Sequence, residues 1–438
     1  MNSLLLKKSL FYVVFFFASQ SFFLSATLDS VINSSLKLSG ENLLLINASD
    51  GRILYEKNSE NTIYPASMTK IATALFILVR YPEILEKYIT IKKDYLSTIT
   101  PEVKKDSGYR SPPYWLESDG SNMGLKVREE VLGKELFFSL LVCSANDAAN
   151  ALAGACAGSI PKFMEELNAF LKHIGCSSTH FNNPHGLHHP DHFTTTRDLA
   201  LIFRYALRHP LFREAITTTR YKSLETNLEA SRVFQQTNKM ILPSSQFYYE
   251  YAVGGKTGST RCAGKNLICA AKNHRREVIV VASGYHKSVT TLYEDVRALF
   301  ETALNEPHQK EFLLPPGTSF PISFNNSWKK IKAPLPEGVY YNYFPSEGKK
   351  RASVIFQQKL KKLPIAKGVC LGEFQVIDTS GHILSSFPVF TQKRITQNLL
   401  SMLSVFVMKK FVPAFFVVYT SFFLWKKRSR RRARSIFL

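Results

Sequence analysis

Strand-like runs stand at the two ends of one long segment of this chain, with helix-like sequence between them. Leu43 to Ile46 and Ile53 to Glu56 flank Ser49-Asp50-Gly51, a hairpin signal. The other group begins at Gly255 and runs through Lys256 to Thr260, Asn266 to Lys272 and Glu277 to Gly284, the last carrying Val278-Ile279-Val280-Val281. Between them, Ile71, Ala74, Leu75 and Leu78 repeat at helical spacing behind Pro65. Glu129 to Ala157 reads as two helices meeting near Cys143 to Asn146, and Phe163 to Ile174 as another, stopped by Gly175. A closing helix runs from Thr291 to Leu304. Early and late strands can pair only across the inserted helices, so the pattern predicts an α+β (α/β) unit over 27–306, an antiparallel sheet with an inserted helical cluster.

The remainder of the 438 residues reads differently. Past Pro307, Pro315-Pro316-Gly317, Pro336-Glu337-Gly338 and Ser380-Gly381 punctuate short runs such as Ala352 to Gln357, predicting a small all-β sandwich domain over 307–395. Residues 1–26 combine Lys7 and Lys8 with an aromatic run, which reads as a signal peptide. Residues 396–438 hold the apolar run Phe411 to Trp425, followed by Lys426, Lys427, Arg428, Arg430, Arg431, Arg432 and Arg434, a pattern for a membrane anchor with a basic tail on the cytoplasmic side. The run is short for a span, so a monotopic arrangement stays open, with the stretch Ile395, Leu399, Met402, Leu403 and Phe406 lying in the interface. The net charge of +22 would suggest nucleic acid, but residues 307–395 hold 13 basic and 5 acidic side chains and the tail holds much of the rest. The expected partner is an anionic membrane surface or wall polymer, not nucleic acid. Six cysteines form neither a disulfide framework nor a metal pattern, and only Cys262 and Cys269 are plausible cross-strand neighbours.

Chemistry enters at Ser67-Met68-Thr69-Lys70, at the start of the predicted Pro65 helix. The i, i+3 spacing puts hydroxyl and amine on one face, and a serine nucleophile needs a base such as a neutral lysine. Ser-x-x-Lys alone is weak evidence, because it recurs at Ser34, Ser159, Ser327 and Ser346. What separates Ser67 is order: Ser144-Ala145-Asn146 follows at a helix junction, and Lys256-Thr257-Gly258 opens a strand, the triple associated with penicillin-binding proteins and serine β-lactamases.

On these residues the chain resembles the D-alanyl-D-alanine carboxypeptidases, the low-molecular-weight penicillin-binding proteins. The likeness includes Tyr64 to Leu75, Leu141 to Leu152, Thr179 to Leu187, His192 to Ala200 and Gly255 to Ser259. The resemblance implies a serine β-lactamase/penicillin-binding-protein fold and an exported, membrane-anchored enzyme that removes the terminal D-Ala from peptidoglycan stem pentapeptides. It implies Ser67 as acylated nucleophile, Lys70 as its base and Ser144 as proton relay. Asn146 would hold the substrate amide, Lys256 and Thr257 the terminal carboxylate, and the N–H groups of Ser67 and Ser259, beside Gly258, the oxyanion. β-Lactam antibiotics would be covalent inhibitors, and no cofactor is implied. A β-lactamase, a DD-endopeptidase and a non-catalytic wall-binding scaffold are the alternatives; Met164 stands where the deacylating Glu of class A β-lactamases would fall.

Two departures from the family pattern stand out. Many relatives carry an Arg after the last long strand that aids carboxylate recognition, whereas here Gly284 leads into Tyr285, His286, Lys287 and Ser288 and no Arg appears until Arg297; Tyr95 to Asn122 is also longer than the usual connection. His185, His188, His189 and His192 supply no helix-spaced pair with a carboxylate and read as a structural loop, with no metal. Asp147 reads as a residue that caps or orients the Ser144 turn.

Overall fold

The early and late strands do meet. In the computed structural model, which describes residues 12–14, 28–325 and 327–396, a five-stranded antiparallel sheet forms from β1 (Asn42–Asn47), β2 (Ile53–Lys57), β3 (Ala252–Thr260), β4 (Gly264–Lys272) and β5 (Glu277–Tyr285), in the order β3-β4-β5-β1-β2. β5 lies against β1 with Val280 opposite Leu45 and Val281 opposite Leu44.

Side chains alternate across a strand, and here both faces are covered. Leu44, Ile46, Ile268, Ala270, Ile279 and Val281 join the core of the helical cluster. Leu43, Leu45, Leu267, Cys269, Val278 and Val280 join a second core on the opposite face, with Val296, Leu299 and Phe300 of the closing helix Val289–Leu304. Burial on both faces is why Leu43 to Ile46 and Val278 to Val281 are continuous apolar runs rather than alternating ones.

The helical cluster contains α1 (Thr69–Arg80), α2 (Gly133–Val142), α3 (Asn146–Ala157), α4 (Ile160–His173), α5 (Thr196–Ala206) and α6 (Pro210–Thr217). Helix α1 packs against α2, α3, α4 and α5, and every residue from Thr69 to Ile77 is buried. The apolar stripe read from the sequence is therefore only part of a helix enclosed on all sides. This enclosure places a lysine, at the second position of α1, out of contact with water.

These elements belong to a unit spanning Ser25–Glu306; the second unit comprises Pro307–Leu438 with Met1–Leu24. In the second unit, a four-stranded antiparallel sheet runs in the order Tyr12–Val14, Ala352–Gln358, Cys370–Asp378, Ile383–Phe390. Two further antiparallel pairs, Gln309–Leu314 with Val339–Tyr343 and Thr318–Phe324 with Ser327–Leu335, share with it a core that includes Ile322, Val339, Phe374 and Val376. The expected signal segment, its residues 12–14 apart, and the expected anchor from residue 397 onward lie outside the described residues. Among the described residues no helix is long and apolar enough to cross a membrane. All six cysteines are free: Cys269 is buried opposite Gly255, and Cys262 is exposed beyond the end of β3.

Candidate active site

Pro65 does not open the helix directly. A short 3-10 turn, Ala66–Met68, precedes α1, and Ala66 sits at φ +49, a left-handed conformation costly for a residue with a Cβ. Surrounding contacts hold this turn. Thr69 Oγ1 donates to the Ala66 carbonyl at 2.9 Å and lies 2.8 Å from His192 Nε2. His192 Nδ1 accepts from the Asn182 N–H at 3.0 Å, so its proton resides on Nε2, which donates to Thr69. Burial holds His192 well below the ordinary histidine range, keeping the ring neutral.

Ser67 thus faces Lys70 rather than capping the helix. Lys70 Nζ lies 3.0 Å from Ser67 Oγ, 2.7 Å from Asn146 Oδ1 and 2.7 Å from the His185 carbonyl. The amine is fully buried. Burial first, and the nearby Lys256 charge second, hold its pKa well below the ordinary lysine value. The chemistry follows from the partners. Asn146 Oδ1 and the His185 carbonyl can only accept, so they take the two N–H bonds of a neutral amine and leave its lone pair directed at Ser67 Oγ. That is the arrangement of a base poised on a nucleophile.

Asn146 starts α3, and its Oδ1 is occupied by Lys70, which leaves Nδ2 to donate elsewhere. Just before it, Ser144 is buried at φ +65, again a strained conformation. On the far side of the site, Lys256 is fully buried and its pKa is pushed down to about 7 by that burial; its Nζ donates to the Thr257 carbonyl at 2.9 Å. Thr257 Oγ1 donates to Thr237 Oγ1 at 2.8 Å. Gly258 is where β3 passes closest to the nucleophile's segment: a Cβ there would lie 2.6 Å from the Pro65 carbonyl oxygen and 3.3 Å from the Met68 nitrogen. Gly186 is similarly constrained, with φ +92 and only 1.9 Å from a built Cβ to the Ala66 oxygen. Any larger residue at either glycine would push the nucleophile turn aside.

The fold therefore brings Ser67, Lys70 and Asn146 into direct contact and sets Lys256 close enough to influence Lys70. Ser144, Thr257, Gly258 and Ser259 stand on the elements that border this group. Several contributors escaped the sequence reading. His185, read as loop, supplies a carbonyl to Lys70; its Nδ1 accepts from Leu187 N–H at 3.1 Å, so Nε2–H donates to the Tyr114 carbonyl at 3.1 Å. Asn150 donates to the carbonyls of Tyr95 and Tyr114 at 3.1 and 2.9 Å. The extended Tyr95 to Asn122 connection is thereby tied by buried polar bonds to the residues around the base. Asp147 does not cap the Ser144 turn but ties it to the segment just past that connection: its carboxylate accepts from the N–H groups of Met123, Gly124 and Leu125 at 2.9 to 3.0 Å. These partners carry no sequence signal, because main-chain carbonyls and amides have none. Among the described residues no group of His, Cys, Asp or Glu could hold a metal ion.

Comparison with known proteins gives the family. Residues 29–286 match the D-alanyl-D-alanine carboxypeptidase family, Peptidase S11. D-alanyl-D-alanine carboxypeptidase DacF of Bacillus subtilis is 29% identical over 256 residues, covering 58% of this chain and 60% of that protein. DacC of Escherichia coli is 30% identical over 244 residues, covering 55% of each chain. The chain thus spans little more than half the length of these relatives. In fold it is similar to the crystal structure of the carboxypeptidase DacD from Francisella tularensis, with TM-score 0.55 and 21% identity over 86% of this chain and 98% of that one. It is likewise similar to the Streptomyces K15 DD-transpeptidase, with TM-score 0.52 and 23% identity over 62% and 99%.

Proposed function

The chain belongs to the D-alanyl-D-alanine carboxypeptidase family, and on that footing we propose that it removes the terminal D-Ala from peptidoglycan stem pentapeptides through an acyl-enzyme on Ser67. The observation that carries this reading is the buried Lys70 amine, with two acceptors on its N–H bonds and Ser67 Oγ at 3.0 Å on its lone pair. Lys70 takes the Ser67 proton as Oγ attacks the carbonyl carbon of the penultimate D-Ala. The Ser67 and Ser259 N–H groups stabilise the oxyanion, and Gly258 lets the two segments come together. As the tetrahedral intermediate collapses, the C–N bond breaks and the proton passes through Ser144 to the departing D-Ala amine. Asn146 Nδ2 holds the substrate amide, while Lys256 and Thr257 bind its terminal carboxylate. Water then hydrolyses the ester and frees Ser67. β-Lactams enter by the same acylation and stay. No cofactor takes part.

Exposure to benzylpenicillin followed by peptide mass mapping tests the reading. The expected result is one adduct on Ser67, together with D-Ala release from a pentapeptide. A folded protein that forms no adduct overturns it.

The export-like segment over 1–26 and the tail over 396–438 support a place on the outer face of the cytoplasmic membrane, the chain held C-terminally and its basic tail on anionic headgroups. A chain ending at Ile395 is expected to be soluble and still acylated. Retention of that shortened chain in the membrane fraction after signal removal would exclude the anchor.

A further inference from the structure

The strand register places a lysine beside Ser259, on the strand face that also carries Thr257, assigned above to the terminal carboxylate. In β3, Lys256 and Gly258 point toward the nucleophile's segment, so Thr257 and Ser259 share the other face. Directly opposed residues of neighbouring strands also share a face, and Ser259 stands opposite Lys265 of β4. Lys265 Nζ accordingly donates to Ser259 Oγ at 3.0 Å. With the Thr237–Thr257 hydroxyl pair, this makes a row of hydroxyl groups ending in an ammonium.

Lys265 is exposed, and among the described residues no carboxylate pairs with it. One neutral hydroxyl engages one of its three donors, leaving the others for an anion. An isolated bond of this kind at the surface adds little stability. The Arg that many relatives carry after the last strand is missing here, and two residues near that place are committed elsewhere. Tyr285 is buried and donates to Asp295 at 2.6 Å. Arg297, the next Arg along the chain, donates to the Tyr248 carbonyl at 2.5 Å.

We propose that Lys265 is the cation that, with the Ser259 and Thr257 hydroxyls, binds the terminal carboxylate of the acyl-donor peptide. This rests on the carboxypeptidase reading above and adds a specificity residue on a different strand from the one that supplies the missing Arg in relatives. It also divides the work between two lysines: Lys256 is buried and close to the base, whereas Lys265 is exposed at the surface.

The test compares wild type, Lys265→Met and Lys265→Arg on a D-Ala-D-Ala peptide and on its C-terminal amide, and on benzylpenicillin and its methyl ester, with thermal melting as the check on folding. Lys265→Met is expected to lose about 10- to 100-fold in kcat/KM on the free acid, mainly through KM, the range for a hydrogen bond to a charged group. It should lose less than about 3-fold on the amide or ester. Lys265→Arg should recover most of the loss. Equal losses on charged and neutral substrates, or none on either, in a protein that melts like wild type overturn the proposal while leaving the catalytic reading intact. A wild-type protein that neither releases D-Ala nor takes up penicillin overturns both.

Discussion

Two Ser-x-x-Lys quartets begin helices in this molecule, and they share nothing but spacing. At Ser159 the serine is a helix N-cap, extended at φ −150, and its side chain accepts from the Lys162 N–H at 3.4 Å. The Lys162 side chain is 62% exposed, with Glu166 at 4.0 Å. At Ser67 the serine lies within a 3-10 turn, caps nothing, and meets a Lys70 amine with 0% exposure. In one place the helix start satisfies its own backbone and the lysine stays hydrated. In the other, packing on all sides of α1 removes water from the lysine, and burial turns a charged surface group into a base. The distinction between a helix cap and a buried serine–lysine pair is thus made by the neighbours of the helix and not by its sequence.

The largest expected separation between the quartets is in acylation. Ser67→Ala should lower penicillin acylation on the order of 10⁴-fold or more, below detection in most formats. Ser159→Ala should leave the acylation rate within 2-fold, about the noise of such assays for a site outside the chemistry. Stopped-flow or gel-based acylation rates decide this, and comparable losses at both serines would erase the distinction.

Next in size is the base itself. Lys70→Gln should cost about 10²- to 10⁴-fold in acylation, the usual range for a general base, and Lys162→Gln should cost nothing measurable. Retained acylation in Lys70→Gln would mean that another group takes the Ser67 proton.

The pH profile sharpens the contrast further. Only neutral Lys70 can act as base, so acylation by an uncharged ester should rise about 10-fold per pH unit below its lowered pKa and level off above it. For a substrate with a free carboxylate a falling limb should follow above about pH 7, where Lys256 loses its charge in the free enzyme. Rates of ester and acid measured across pH 5 to 10 separate the two limbs. A profile unchanged in Lys256→Met would remove that lysine from carboxylate binding.

Stability should move in the opposite direction. Lys256 has a folded-state pKa of about 7, below its unfolded value of about 10.4. Between those values the unfolded chain binds more protons, so wild-type stability should rise with pH. Lys256→Met is therefore expected to stabilise the fold by about 1–4 kcal/mol below pH 7, a gain that fades toward pH 10. Lys162→Met should stay within about 0.5 kcal/mol throughout. Denaturant midpoints at pH 6 and 9.5 read the difference. The smallest effect belongs to the cap: Ser159→Ala should cost about 1 kcal/mol of stability at any of these pH values.

Much of the fold was legible because it rests on periodicity. The hairpin, the inserted helices and the late strands each carry a pattern of apolar spacing that local geometry imposes. Helix α5 was harder to read, since Thr195, which caps it by accepting from Asp198 N–H at 3.1 Å, stands in a run of three threonines without a clear apolar onset. The close pairing of Cys262 and Cys269 failed for a related reason: register is set by where the turn bends, and here Gly264 at φ +68 starts β4 opposite Thr260, carrying Cys269 down to Gly255.

The sequence by itself determined the sheet with its helical insertion, the residues able to do the chemistry and the order in which they occur. These follow from side-chain type and from spacing along the chain, both of which are local. The tertiary structure alone decided which Ser-x-x-Lys loses its water, that the His185 carbonyl and Asn146 Oδ1 claim the Lys70 protons, and that Lys265 lands beside Ser259. Each of these depends on atoms far apart in sequence meeting within about 3 Å. Burial, main-chain acceptors and cross-strand register exist only once the chain has closed on itself, so no motif can record them.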